Sequence, residues 1–150
     1  MPWKTTLKRA RKDKQEGKSP STQAGEFVRE EMEHIRRGKH GARNTKQVIA
    51  IGLSKARRAG VQLTPPQPGA TSTRTRKQAE RDIAKGQSGS GKTSSKRSAA
   101  AERALKRESR TAATPSALSK HAKQAAERRG SASRSQAAKK AARTRQRQAA

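Results

Sequence analysis

Cysteine is absent from this chain of 150 residues, and Trp3 and Phe27 are its only aromatic residues. The lack of cysteine excludes disulfides and thiolate metal sites. Two aromatic side chains are too few for a platform on which single-stranded bases stack. The longest apolar run, Val48 to Leu53, is far shorter than a bilayer span, and the first residues lack the apolar core of a signal peptide. We therefore expect an intracellular, cytoplasmic protein without a membrane partner.

Acidic residues are scarce as well. The chain has 38 Lys and Arg against 11 Asp and Glu, which gives a formal net charge of +27. A folded surface with this charge repels itself, and phosphate backbones are its usual counterweight. The composition predicts a protein that binds polyanions, above all nucleic acid.

The large apolar side chains are concentrated between Ser19 and Leu63. Ser19 and Pro20 are typical of an N-cap followed by proline at the first helical position. Gly38 favours a left-handed helix stop. Between them, apolar residues recur at helical spacing and predict one buried helix face: Ala24, Phe27, Val28, Met32 and Ile35.

A second helix is predicted from Asn44, its N-cap, to Gly60, and Gln47 is placed to complete a capping box. Its small residues Gly52 and Ala56 would let the first helix approach closely. Ile51 points away from this face, either as a lone exposed residue or as part of a second contact surface.

Glu31 falls within the apolar stripe of the first helix, where a carboxylate needs a cation. The expected partner is Arg43 or a cation of the second helix, unless Glu31 lies at the edge of the stripe. The two helices form a hairpin whose apolar area is too small to offset the entropy of ordering it. We expect a second copy, the arm that carries Trp3 and Leu7, or a ligand to complete it.

Beyond the hairpin, residues 64–150 contain only three large apolar side chains, Ile83, Leu105 and Leu118. Such a segment has no core of its own, although its alanine-rich basic stretches form marginal helices. The predicted organisation is a basic arm (1–18), a helical hairpin (19–63), a Pro/Gly/Ser-rich linker with one short helix (64–96) and a basic, alanine-rich tail with short helices (97–150). The fold class is all-α, with a short helical hairpin flanked by basic, largely disordered or transiently helical arms.

Two motifs point to chemistry that their surroundings do not support. Gly86 to Thr93 matches the phosphate-binding loop of NTPases, but no apolar strand precedes it. A Gly/Ser linker is the better interpretation. Glu31 and His34 match half of a di-iron helix motif, while His40 and His121 have no partners at ligand spacing. We expect no enzyme, no cofactor and no metal.

The start of the second helix carries Arg43, Asn44, Thr45, Lys46 and Gln47. These residues could read base edges, contact phosphates at the helix N-terminus, or only cap the helix. Across the chain, the predicted nucleic-acid-binding residues are Lys39, Arg43, Lys46, Lys55, Arg57, Arg58, Arg97, Arg103, Lys106, Arg107, Lys120, Lys123, Arg128, Arg129, Arg134, Lys139, Lys140, Arg143, Arg145 and Arg147.

Three segments carry a family resemblance: SPSTQAGEFVREEM at Ser19–Met32, HGARNTKQ at His40–Gln47 and IAIGLSKARRAGV at Ile49–Val61. They resemble a family of small, very basic, uncharacterised bacterial proteins that are often labelled DNA-binding or plasmid-stabilisation proteins. The resemblance, over residues 4–63, implies a bacterial cytoplasmic protein close to DNA and supplies neither a reaction nor site residues. The tail is also similar in composition to the Lys/Ala tails of linker histones.

Together these features predict a non-enzymatic, nucleoid-type protein that binds DNA mostly without sequence preference, through phosphate charge. Two alternatives share the composition. One is an RNA- or ribosome-associated protein, and the other is an adaptor or antitoxin-like module whose hairpin binds a protein partner. The hairpin also offers a route to a homodimer.

Overall fold

The computed structural model describes residues 3–89 and 94–149, with side chains up to Arg147. These residues form six helices and a 3-10 turn, with no strand among them, so the all-α class is confirmed. The chain divides into two compact units, Met1–Thr114 and Pro115–Ala150. The helices are α1 (Lys4–Gln15), α2 (Pro20–Arg36), α3 (Thr45–Arg58), α4 (Thr73–Ser88), α5 (Ser95–Lys106) and α6 (Pro115–Ala149), and the 3-10 turn is Thr111–Ala113.

The capping predicted for the central pair, α2 and α3, is confirmed. Ser19 Oγ accepts a hydrogen bond from the Thr22 N–H at 3.4 Å, and Asn44 Oδ1 accepts one from the Gln47 N–H at 3.0 Å. The reciprocal bond differs by one position. Gln47 Oε1 accepts from the N–H of Arg43 at 2.7 Å, not from Asn44 as in a capping box.

The close approach predicted at Gly52 is also confirmed. A Cβ placed on Gly52 would lie 2.6 Å from Val28 Cα. The α2 and α3 backbones therefore approach each other closely at Gly52 because glycine has no side chain. Apolar side chains fill two clusters on either side of this crossing. The first cluster contains Ala10, Ala24, Phe27, Ala56 and Val61, and the second contains Ile35, Ala42, Val48, Ala112 and Ala113.

The N-terminal arm is a helix that packs on α2, and not the largely disordered segment that the sequence predicted. Ala10 of α1 is buried in the cluster around Phe27, and Leu7 packs against that cluster. The Trp3 N–H donates to Glu30 Oε2 at 3.1 Å. The arm that carries Trp3 and Leu7 therefore covers the hairpin, as one of the three predicted alternatives required.

Residues 64–96 are likewise more than a linker, because α4 packs on α3 through a buried carboxylate. Asp82 is 1% exposed. It accepts hydrogen bonds from Ser54 Oγ at 2.6 Å, Arg58 Nε at 2.7 Å and Gln78 Nε2 at 3.1 Å. Ile51 lies one turn before Ser54 on this face of α3 and is partly buried, which favours the second contact surface over a lone exposed residue.

Replacing Asp82 with Ala is expected to destabilise the first unit by about 1–3 kcal/mol. The substitution leaves Ser54 and Arg58 without their acceptor, and the usual cost of breaking a buried pair is reduced because Arg58 is half exposed. Urea unfolding followed by circular dichroism measures the change. The matched control is Glu80→Ala, whose exposed carboxylate pairs only with Arg76 in α4. Equal stability of the two variants would contradict this role for Asp82.

The end of α5 and the segment that follows it also pack on the hairpin, mainly through their backbone. The Gly41 N–H donates to Leu105 O and the Ala42 N–H to Ser109 O, both at 2.9 Å. Thr45 Oγ1 donates to Ala112 O at 2.8 Å, and Ala112 and Ala113 are buried. The prediction of a largely disordered segment is wrong here, because small alanines and backbone carbonyls bind the hairpin without large apolar side chains.

The second unit consists of α6. Gly130 has φ 71° and ψ 165°, which are not helical values, so it interrupts the helix. Every side chain from Glu127 to Arg147 is exposed. The expectation of a largely disordered tail is wrong in that this segment is helical on both sides of Gly130.

The phosphate-loop motif has no strand before it. Gly86 and Ser88 belong to α4, and the next motif residues, Ser90 to Thr93, lie outside the described part of the chain. At Gly86 a Cβ would clash with the Arg57 carbonyl, so this glycine serves the packing of α3 on α4.

Among residues 3–89 and 94–149, no helix has the length and apolarity needed to cross a bilayer.

Candidate nucleic-acid interface

The largest set of unpaired cations in the described part of the chain lies on α6. This helix carries ten cations and one acidic residue, Glu127. All ten cations are exposed, and within the described residues none of them forms an ion pair. All ten were among the predicted binding residues: Lys120, Lys123, Arg128, Arg129, Arg134, Lys139, Lys140, Arg143, Arg145 and Arg147.

Local sequence explains why this segment is helical although it has no core. Pro115 occupies the first helical position, where a missing N–H costs nothing. The residues that follow are mostly Ala, Lys, Arg and Gln, all strong helix formers. The stretches before and after Gly130 are about 22 and 28 Å long at 1.5 Å per residue. The two stretches therefore present cations over roughly two thirds and four fifths of one duplex turn of about 34 Å.

The predicted cations of α5 and its C-terminal end are exposed as well, but two of them have partners within their own helix. Lys106 pairs with Glu102 at 2.9 Å, one turn away. Arg103 Nε donates to the Ala99 carbonyl at 3.3 Å. Arg97 and Arg107 are exposed. Exposed pairs of this kind are weak, so these side chains can turn to a phosphate at little cost.

At the start of α3 the structure separates the roles that the sequence left open. The side chains of Asn44 and Gln47 are engaged in capping hydrogen bonds, which argues against base reading by either amide. The Arg43 side chain is 79% exposed and lies 3.9 Å from Glu108. Lys46 is exposed. Arg43 and Lys46 can therefore contact phosphate while their neighbours hold the helix end.

Lys39 lies nearby, on the loop between α2 and α3. Its ammonium is 4.8 Å from the centroid of the Trp3 ring, a cation–π contact, while the residue stays exposed. This contact places the charge at the surface without neutralising it.

The three predicted residues at the end of α3 serve the fold. Lys55 Nζ donates to Glu31 Oε1, which confirms that a second-helix cation partners Glu31. Arg58 is bound to Asp82. Burial lowers the pKa of Arg57, with the Asp82 charge acting in the opposite direction. Lys55 and Arg58 are held by ion pairs inside the first unit, and Arg57 is partly buried there, so all three are less available to an external ligand than the cations of α6.

A buried polar cluster lies beside the Glu31–Lys55 pair, and the sequence did not predict it. Glu30, Glu31 and His34 are 2%, 1% and 7% exposed. His34 Nδ1 is 3.2 Å from Glu31 Oε1, and His34 Nε2 is 3.7 Å from Glu30 Oε1. His40 Nε2 is 3.4 Å from Glu31 Oε2. The prediction that His40 has no partner at ligand spacing is therefore wrong.

The loop after Gly38 explains why the sequence concealed this cluster. Gly38, with φ +72°, ends α2, and the chain then turns back so that His40 faces the helix it has just left. Spacing along one helix could not show this return. Burial lowers the pKa of His34, whereas the nearby Glu31 carboxylate acts to raise it. His34 is therefore biased toward the neutral imidazole.

No family model, curated protein or solved structure matches this chain.

Proposed function

We propose that this protein is a non-enzymatic nucleic-acid-binding protein that acts by neutralising phosphate charge, mostly without sequence preference and with duplex DNA as its ligand. The observation that carries the proposal is α6, where ten exposed cations face solvent with Glu127 as the only acid. From Glu127 to Arg147 every residue is exposed and none is a large apolar one, so this part of α6 has no apolar face to bury against a protein partner. Phosphates are the complementary surface for it.

The rest of the chain fits a supporting role in this proposal. Arg43, Lys46 and Lys39 add exposed charge at one end of α3. Helices α1 to α4 pack on one another and hold the end of α3 at which these three cations lie. The assignment to DNA over RNA, and to the bacterial nucleoid, depends on the resemblance of residues 4–63 and stays a prediction, as does a homodimer.

A salt titration tests the proposal. We expect the affinity of the full chain for duplex DNA to fall by about 10³-fold or more between roughly 50 and 200 mM salt, because each phosphate contact releases condensed counterions. Fluorescence anisotropy with a labelled duplex measures it. An affinity that hardly changes with salt would contradict the proposal.

Competitors at fixed salt distinguish the alternatives. Duplex DNA should displace the labelled duplex better than duplex RNA or single strands of equal length. Stronger displacement by RNA would favour the RNA-associated alternative. An adaptor role predicts a protein partner that stays bound to the chain after nuclease treatment.

A further inference from the structure

The buried polar cluster beside α2 has more hydrogen-bond acceptors than donors. Glu30 Oε1, Glu31 Oε2 and His34 Nε2 are buried without a hydrogen-bond partner. Buried polar atoms are almost always paired, since leaving one unpaired costs about 1–3 kcal/mol. A cation bound beside Glu31 Oε2, the one of these atoms that faces His40, would give it the partner it lacks.

The hydrogen bond of His40 fixes which of its ring nitrogens can bind a cation. His40 Nδ1 lies 3.0 Å from the Gly41 carbonyl, which can only accept, so Nδ1 carries the proton. The other nitrogen of His40, Nε2, is therefore the one directed at Glu31 Oε2, 3.4 Å away. A metal ion between these two atoms would take a lone pair from each.

His34 repeats the pattern. Its Nε2 faces Glu30 Oε1 at 3.7 Å and its Nδ1 faces Glu31 Oε1 at 3.2 Å. A neutral ring can donate to only one of the two carboxylates. His34 Nδ1 is hydrogen-bonded to Glu31 Oε1 at this distance, and Nε2 has no hydrogen-bond partner. A metal ion bound at Nδ1 would require the ring proton to be on Nε2, which faces Glu30. His40 likewise has the Gly41 carbonyl behind its ring, the arrangement that orients metal-binding histidines.

We propose that Glu31, His34 and His40 bind a divalent transition-metal ion of the Zn²⁺ class. One ligand atom from each residue lies within 4.8 Å of the other two. With Zn²⁺ bonds of about 2.0–2.1 Å, tetrahedral ligand atoms are roughly 3.4 Å apart. The 3.4 Å between His40 Nε2 and Glu31 Oε2 fits this geometry, and small side-chain rotations would bring the His34 ligand atom, now within 4.8 Å of the other two, into the same range. Two imidazoles and a carboxylate favour zinc or a similar ion over Mg²⁺, which prefers oxygen ligands.

Lys55 is compatible with this site because its ammonium contacts Glu31 Oε1 and leaves Oε2 without a hydrogen-bond partner. Its charge offsets one of the two buried carboxylates. The Lys55 side chain is 26% exposed, so it can move toward solvent when the metal charge arrives. Metal binding would fix the loop at His40 to α2 and thereby stabilise the first unit.

Calorimetric titration of the tag-free full chain, stripped with a chelator and free of nucleic acid, tests the site. We expect one Zn²⁺ per chain and a melting temperature that rises with Zn²⁺ concentration. His40→Ala should weaken Zn²⁺ affinity by about 100-fold or more, since even loss of an outer partner typically costs about 10–100-fold. His121→Ala is the matched control, because His121 lies on α6 outside this cluster, and it should bind like the unsubstituted chain.

The visible absorption of bound Co²⁺ is a second readout. It would not change if His40 had only a structural role. Cobalt bound by imidazole and carboxylate in a tetrahedral site absorbs visible light, and this absorption should disappear in His40→Ala while circular dichroism confirms that the variant is folded. Glu30→Gln, a positioning variant, should lower the affinity by about 10–100-fold. The proposal is overturned if no Zn²⁺ binds, if Mg²⁺ binds equally tightly, or if His40→Ala and His121→Ala bind alike. None of these outcomes depends on the proposed nucleic-acid function.

Discussion

Replacing five cations of α6 with glutamine is expected to weaken duplex DNA binding by about 10³-fold near 100 mM salt. The change also flattens the salt dependence. If all five side chains contact phosphates, the slope of log affinity against log salt falls in magnitude by about 4.5, at roughly 0.9 for each contact. The substituted residues, all exposed and without ion pairs within the described residues, are Arg134, Lys139, Lys140, Arg143 and Arg145.

Glutamine suits this experiment because its helix propensity is close to that of lysine and arginine. The substitutions therefore remove charge while the helix is retained, which far-ultraviolet circular dichroism checks. Anisotropy titrations at several salt concentrations give both the affinity and the slope.

The matched control removes the same charge from α1 with Lys4, Lys8, Arg11, Lys12 and Lys14 replaced by Gln, all of them exposed. We expect this variant to lose less than about tenfold in affinity, because it reduces only the long-range attraction, which salt screens. An equal loss in both variants would show that net charge alone, and not α6, determines binding.

Gly52→Ala is expected to destabilise the first unit by about 1–3 kcal/mol, although alanine is the better helix former. The new Cβ would lie 2.6 Å from Val28 Cα and 2.9 Å from Val28 N. These are backbone atoms, so α2 and α3 would have to move apart. That movement would loosen the packing around Phe27 and Val48 on both sides of the crossing. Chemical unfolding followed by circular dichroism measures the change.

Gly25→Ala is the control, because the same substitution is made in a helix where a Cβ meets no atom within 4 Å. It should be neutral or stabilising by up to about 1 kcal/mol, the helix propensity difference between the two residues. The two variants therefore change stability in opposite directions if packing decides the outcome at Gly52. A stabilised Gly52→Ala variant would show that the helices do not approach this closely in solution.

The two central helices, α2 and α3, and their ends follow from local sequence signals. Ser19, Asn44 and Gly38 act through backbone geometry within a few residues of themselves, so their effects can be derived locally. The hairpin contact at Gly52 was predictable for a related reason, since small residues one turn apart indicate a close neighbour. Net charge also follows from composition alone and directly suggests a polyanionic ligand.

Which segments pack on the hairpin could be learned only from the tertiary contacts. Asp82, Ala112 and Ala113 look like surface residues in a basic, low-complexity stretch, yet they are buried against α3 and the second cluster. No hydrophobic pattern marks them, because their contacts use a carboxylate, backbone carbonyls and alanine methyls. The same holds for the candidate metal site. His40 reaches Glu31 and His34 only because the chain reverses after Gly38, and a reversal brings together residues whose spacing in the sequence carries no helical period.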